Sequence, residues 1–205
     1  MHAIELDIFL SLLVFGFIAA VTPGPNNVML TTTGVNFGVR RGIPHLMGIC
    51  VGFPIMLVLI GLGFGGLFDL YPILHDIIKM IGIVYLLYLA WKIGVTRQSD
   101  EIEEQSRPIT FVQAAAFQWV NPKAWVMGSS ALAAFTSLEA NFLLQVLIVA
   151  GTFLVITIPS AGIWLIFGAG LQHVLKDPDH LRIFNVSMAV LLVASIVPVI
   201  WEVVS

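Results

Sequence analysis

Thr22-Pro23-Gly24-Pro25-Asn26-Asn27 sits inside a stretch otherwise apolar enough to cross a bilayer, and Asn121-Pro122-Lys123 interrupts a second such stretch. Prolines, a glycine and amides in a row cannot continue an α-helix. In hydrocarbon, broken backbone persists only where it is buried in protein or lines a wet cavity. The chemistry of these breaks suits a zwitterion. Asn121-Pro122 is a favourable N-cap and first-turn pair, and Gly24-Pro25 can play the same part, so a new helix is expected to start at each. Helix starts present unpaired N–H groups and a positive dipole end, which attract a carboxylate. Lys123 adds a full positive charge. The preceding helices end near Val21 and Val120 with unpaired carbonyls that accept from an ammonium group. The candidate substrate-binding residues are therefore Thr22, Pro23, Gly24, Pro25, Asn26, Asn27, Asn121, Pro122 and Lys123, with Gln118 one turn before the second break and Lys79 as a possible addition.

Plainer roles compete with this reading. A lone proline in a membrane helix is usually a kink, and Pro54, Pro159 and Pro198 are read that way. A snorkelling anchor is the plainer role for Lys123, but it lies ten or more residues from either end of its stretch, where ionisable groups are costly and usually functional. Lys79 lies nearer a span end. Gly48 with Gly52, and Gly34 with Gly38 and Gly42, form small-residue faces expected to pack helices closely. His2, His45, His75, His173 and His180 are dispersed and read as interfacial and solvated.

The elements that must hold such breaks follow from composition. Of 205 residues, 59% are apolar and 10% charged, and the mean hydropathy of +1.00 places nearly the whole chain in lipid. Net charge is −3 with no basic stripe, which excludes nucleic acid as a partner, and the single Cys50 supplies neither a disulfide framework nor a thiolate metal cluster. Six apolar segments, 8–33, 43–68, 73–91, 111–135, 142–167 and 183–204, each approach the ~20 residues needed to span ~30 Å of hydrocarbon. The acidic start (Glu5, Asp7) is unlike a secretory signal, so the first segment is expected to be retained. Residues 1–205 form one transmembrane domain: a first half over 1–95, a linker over 96–108 carrying Asp100, Glu101, Glu103 and Glu104, and a second half over 109–205. Arg40, Arg41, Lys92, Arg97, Arg107, Lys176 and Arg182 fall on one side of the predicted spans, which makes that side and the linker cytoplasmic and puts both termini outside. Trp91, Trp201, Tyr71 and Tyr88 suit interfacial anchoring.

With that topology the two halves enter the membrane from opposite sides. About 14 residues from 8 to 21 rise ~21 Å, and about 10 from 111 to 120 rise ~15 Å, so both breaks land near the midplane. The predicted fold is an all-α integral membrane protein: six transmembrane helices in two inverted three-helix repeats, with helices 1 and 4 broken around a solute site.

Several of these residues occur together in a known family. Thr22-Pro23-Gly24-Pro25-Asn26, the run from Gly34 to Arg40-Arg41-Gly42, Gly82 with Tyr85-Leu86, and Asn121-Pro122-Lys123-Ala124 resemble the LysE/RhtB family of amino-acid exporters over nearly the whole chain. The resemblance implies a secondary active exporter of amino acids or their derivatives in the plasma membrane. It also implies six spans, a homodimer and coupling to a proton or sodium gradient without a cofactor. Two departures bear on substrate. Many relatives carry an acidic residue about where Phe53 stands, and a Pro-Gln-Phe where this chain reads Ala133-Ala134-Phe135. The resemblance thus implies a neutral amino acid or a more apolar derivative. The alternatives are a transporter of another small solute or metal cation, an intramembrane enzyme, and a scaffold. Metal transport wants buried carboxylate, thiolate or imidazole ligands, which the spans scarcely supply. No His-Glu-x-x-His or Gly-x-Ser-x-Gly is present, and Ser129-Ser130 reads as helix packing.

Overall fold

The computed structural model of the protein describes residues 6–64, 70–95, 107–137, 141–172, 174–175 and 177–204. Most of the predicted linker (96–106, with its four acids and Arg97), His2, His173 and Lys176 lie outside the described residues, as do the side chains of His75, Lys79 and Pro198.

The described elements are helical. They are α1 (Leu6–Val21), α2 (Pro25–Leu59) continued by a π-helical turn (Ile60–Phe64), α3 (Pro72–Val95), α4 (Phe111–Phe117) continued by a 3-10 turn (Gln118–Val120), α5 (Pro122–Phe135), α6 (Phe142–Gln172) and α7 (Pro178–Val204). Pro25–Gly63, Phe142–Gln172 and Pro178–Val197 are long and apolar enough to cross a bilayer, and Leu6–Val21 and Met80–Val95 are shorter apolar helices. Leu6, Val112, Val126 and Trp201 are among many large apolar side chains left exposed, each at 64% or more. A surface of that kind belongs against lipid, and with the apolar helices it makes this an integral membrane protein.

Local chemistry explains several boundaries. α4 opens on a capping box: Thr110 Oγ1 accepts from Gln113 N at 3.3 Å, and Gln113 Oε1 accepts from Thr110 N at 3.0 Å. α7 opens on Asp177, whose Oδ1 accepts from the backbone N–H of Asp179 at 2.8 Å and of His180 at 3.3 Å. α2 and α6 run through Pro54 and Pro159 without a non-helical residue at either.

α2 is not one straight rod. Thr33 Oγ1 and His45 Nδ1 lie 2.9 Å apart although 12 positions separate them, a span that would cover ~18 Å along a helix. The chain therefore folds back between them, at Gly38, with φ 72° and ψ 176°. That region is open essentially to glycine alone. The turn predicted over 34–42 thus reduces to one residue between limbs 25–37 and 39–59. Gly34 and Gly42 do pack closely, both against Leu165 of α6, while Gly38 is a turn rather than part of a packing face. Gly48 and Gly52 admit the backbone of α4, as their spacing predicted. Beside the turn, the Arg41 guanidinium sits 5.3 Å above the Phe37 ring.

His45 departs from its expected interfacial role. It is fully buried, bonded to Thr33, with Nε2 unpartnered among the described residues. The fold-back carries it inside, because closing the two limbs places its ring against the first.

Three apolar clusters hold the helices. One, around Leu12, Phe53, Leu57, Val149 and Phe153, joins α1, α2, α5 and α6. A second, around Met29, Leu86, Phe117 and Leu192, joins α2, α3, α4 and α7. The third, around Leu30, Ile49, Ala114 and Leu165, lies between them on α2, α4 and α6. Trp119 and Val120 of the second interruption pack against the first and the second cluster respectively.

Gly38→Ala is expected to destabilise by about 1–3 kcal/mol, the usual cost of a residue forced into that backbone region, read as a lowered Tm in detergent; an unchanged Tm would contradict the turn. The two N–H bonds hold the Asp177 carboxyl below the ordinary carboxylate range. Its folded-state value being depressed, its contribution to the start of α7 is complete above the unfolded-state value and is lost as pH falls through the folded one. Hydrogen-exchange protection in the first turn of α7, taken relative to the intrinsic rate at each pH, is therefore expected to fall on acidification, and not in Asp177→Asn.

Candidate functional site

The first interruption, residues 22–24, ends α1 and restarts the chain at Pro25; the second turns through 118–121 and restarts at Pro122. Asn121 is the N-cap its sequence predicted: in extended conformation, its Oδ1 accepts from Lys123 N at 3.2 Å. Gly24 caps α2 with extended backbone and no side-chain bond, so the N–H groups of Asn26 and Asn27 keep the open character of a helix start.

The two interruptions are stitched to each other. Lys123 Nζ donates to Thr22 O at 2.5 Å and to Thr22 Oγ1 at 2.9 Å, with Pro23 O at 3.5 Å. Asn26 Nδ2 donates to Gln118 Oε1 at 2.9 Å, Gln118 Nε2 returns to Asn26 Oδ1 at 3.3 Å, and Gln118 Nε2 also reaches Ala114 O at 2.8 Å. These contacts have a reciprocal form. Asn26 directly follows the helix-opening Pro25, and Lys123 directly follows Pro122. Each reaches back to the chain just ahead of the other's proline, Asn26 to Gln118 and Lys123 to Thr22.

The end of α1 is satisfied by the protein's own donors. Asn27 Nδ2 lies 3.0 Å from Ala20 O and 2.7 Å from Thr22 O, and Trp164 Nε1 donates to Val21 O at 3.0 Å. The carbonyls expected from sequence at the end of α1 to await a solute's ammonium are thus engaged, that of Thr22 in part by Lys123.

A cavity of about 30 Å³ lies between the interruptions. Its polar lining is Gly24, Asn26, Asn27, Gln118, Asn121, Lys123 and Thr157; Ala20, Ile49, Phe53, Ala124, Met127 and Ala161 complete it. Of the residues chosen from sequence, six face this cavity. Thr22 and Pro23 are more exposed and contribute the oxygens that hold Lys123, while Pro25 and Pro122 set the helix starts. Lys79 lies on α3, and its side chain is outside the described residues. The wall from α2 and α6 (Ile49, Phe53, Thr157 and Ala161) was not chosen from sequence. Thr157, a hydroxyl two residues ahead of a proline in an apolar run, was its available signal.

The motif around Gly82 acquires a physical role. The absent side chain there admits the Val120 carbonyl, Tyr85 packs on Phe117 with ring centroids 5.8 Å apart, and Leu86 is buried. α3 thereby braces the second interruption from outside.

Residues 17–197 match the family of LysE type translocators. Among curated proteins, the chain is 30% identical to a cysteine/O-acetylserine efflux protein of Salmonella choleraesuis (strain SC-B67), over 87% of this chain and 90% of that protein. It is 31% identical, over the same shares, to proteins of the same description from Escherichia coli (strain K12) and Shigella flexneri serotype 5b (strain 8401). No solved structure matches significantly.

Asn26→Ala and Gln118→Ala are expected to couple by about 0.5–3 kcal/mol, as groups sharing a hydrogen-bonded pair do. The double variant should therefore lose less Tm than the two singles added; strict additivity would show that the amide pair does not hold the interruptions together.

Proposed function

The chain belongs to the LysE type translocator family, and from that premise we propose that it is a secondary active exporter of small neutral amino acids and their derivatives, of the cysteine and O-acetylserine kind, across the plasma membrane. In this reading its helices make six spans in two inverted three-helix repeats, with termini outside and the 96–108 linker cytoplasmic. The solute binds at mid-membrane between the broken helices, and a proton or sodium gradient drives export without a cofactor.

The observation that carries the reading is the reciprocal reach of Asn26 and Lys123 across the two breaks. An inverted repeat brings equivalent positions face to face about a pseudo-two-fold axis and places the solute there. The chemistry follows from the donors and acceptors present. The side-chain-uncapped start of α2 and the Lys123 ammonium receive the solute's carboxylate. The Thr22 oxygens that Lys123 then releases, with the amide oxygens of Asn26, Gln118 and Asn121, receive its ammonium. About 30 Å³ has room for a water molecule and not for an amino acid. Loading therefore requires the Lys123–Thr22 and Asn26–Gln118 bonds to part, which the solute's own charges offset. Phe53 supports a neutral solute: it stands in the cavity wall, and none of the described lining residues is acidic to balance a cationic side chain.

Proteoliposomes loaded with labelled O-acetylserine are expected to release it faster than protein-free ones, and Lys123→Ala should raise the apparent KM roughly 10- to 100-fold, the worth of one or two charged hydrogen bonds. Equal release from both vesicle types across a panel of neutral amino acids would remove the reading. An unaltered KM in Lys123→Ala would remove the carboxylate role.

A further inference from the structure

Among the described lining residues, the Thr157 side chain offers a hydroxyl that the charged ends of a solute leave unused. The residue is 4% exposed, it lines the cavity from α6, and its Oγ1 has no hydrogen-bond partner among the described residues. Other hydroxyls on the long helices behave differently. Thr31 donates to Asn27 O, Thr32 to Val28 O, Thr152 to Ile148 O and Ser160 to Ile156 O, each the carbonyl four residues back and each at 2.8–2.9 Å. That back-bond is the default for a helical Ser or Thr; Thr157 does not make it. A buried hydroxyl left unpaired costs about 1–3 kcal/mol, and buried polar groups in folded proteins are nearly always satisfied. A hydroxyl held unsatisfied beside a cavity is therefore placed for something that enters the cavity.

The lining divides by chemistry. Lys123, Asn26, Gln118 and Asn121 supply the groups suited to a carboxylate and an ammonium. Besides Thr157, the described lining from the second limb of α2 and from α6 is apolar: Ile49, Phe53 and Ala161. An amino acid held by its charged ends turns its side chain toward that second wall. Its described residues carry no counter-charge for an ionised side chain and one hydroxyl that both donates and accepts.

Resting on the exporter reading, we infer that Thr157 is the specificity-determining residue of the site, selecting amino acids whose short neutral side chain carries a hydrogen-bonding group (hydroxyl, thiol or oxygen ester) over apolar side chains of the same size. A site built to hydrogen-bond a side chain disfavours the isostere lacking that group, because its own polar atom is then left unpaired.

The test is competition in proteoliposomes carrying the full-length protein, with labelled O-acetylserine exchange inhibited by serine or by 2-aminobutyrate, which replaces the hydroxyl with a methyl group. Wild type is expected to prefer serine by about three- to tenfold, the worth of one neutral hydrogen bond. Thr157→Val should bring the ratio close to one, and Thr157→Ser should keep it; Thr157→Ala replaces the valine variant if that protein does not assemble. A ratio unchanged in Thr157→Val, including one in which every solute weakens equally, would overturn the inference and leave Thr157 a packing residue. Wild-type exchange with no preference between the two competitors would also overturn it while leaving the exporter reading intact. No exchange of any amino acid by wild type would remove the exporter reading itself.

Discussion

The fold turns on a single constraint: backbone groups released by two helix interruptions must find partners in a chain that offers little water. Each unsatisfied group in hydrocarbon costs several kcal/mol, so the interruptions persist only because side chains meet them. Asn27 folds back onto the end of α1, Trp164 reaches it from α6, and Lys123 crosses from the opposite interruption. Much else serves to bring those donors in. Gly38 turns α2 back so that its second limb walls the cavity, Gly34 and Gly42 let α6 close on that hairpin, and Gly82 lets α3 support the second break.

The same constraint gives a physical basis for a gate. Carbonyls that need donors do not distinguish a lysine ammonium from that of an amino acid, and a helix start that favours negative charge accepts a carboxylate as readily as an amide oxygen. In the proposed exporter, the contacts between the interruptions are what the solute's charges exchange with, so entry and opening are one event. Under that proposal the protein's own groups would hold the pathway shut in the absence of solute and so suppress leakage.

Much of this was legible from residue types. Prolines clustered with glycine and amides in apolar runs mark interruptions because several such residues together cannot continue a helix, whereas a single proline such as Pro54 or Pro159 is absorbed, and Asn121 before Pro122 is a favourable helix start. Lys123 stood out because an ionisable group far from a span end needs partners. The partners were less legible. That Lys123 would bond Thr22, or Asn27 cap the helix before it, depends on how two segments a hundred residues apart meet, and one sequence does not encode that meeting locally. The burial of His45 was misread for a related reason: proximity to a predicted turn suggested the interface, but the turn contracted to Gly38 and drew the imidazole inward. Thr157 escaped notice because an isolated hydroxyl in an apolar helix ordinarily bonds its own backbone, and only the structure reveals that this one does not.

The most direct measurement is an experimental structure of the protein with O-acetylserine bound. The account predicts the solute's carboxylate between Lys123 and the start of α2, its ammonium on the oxygens around Thr22 and Gln118, and the Lys123–Thr22 bond opened. Solute bound elsewhere, or bound with both inter-break contacts intact, would contradict it.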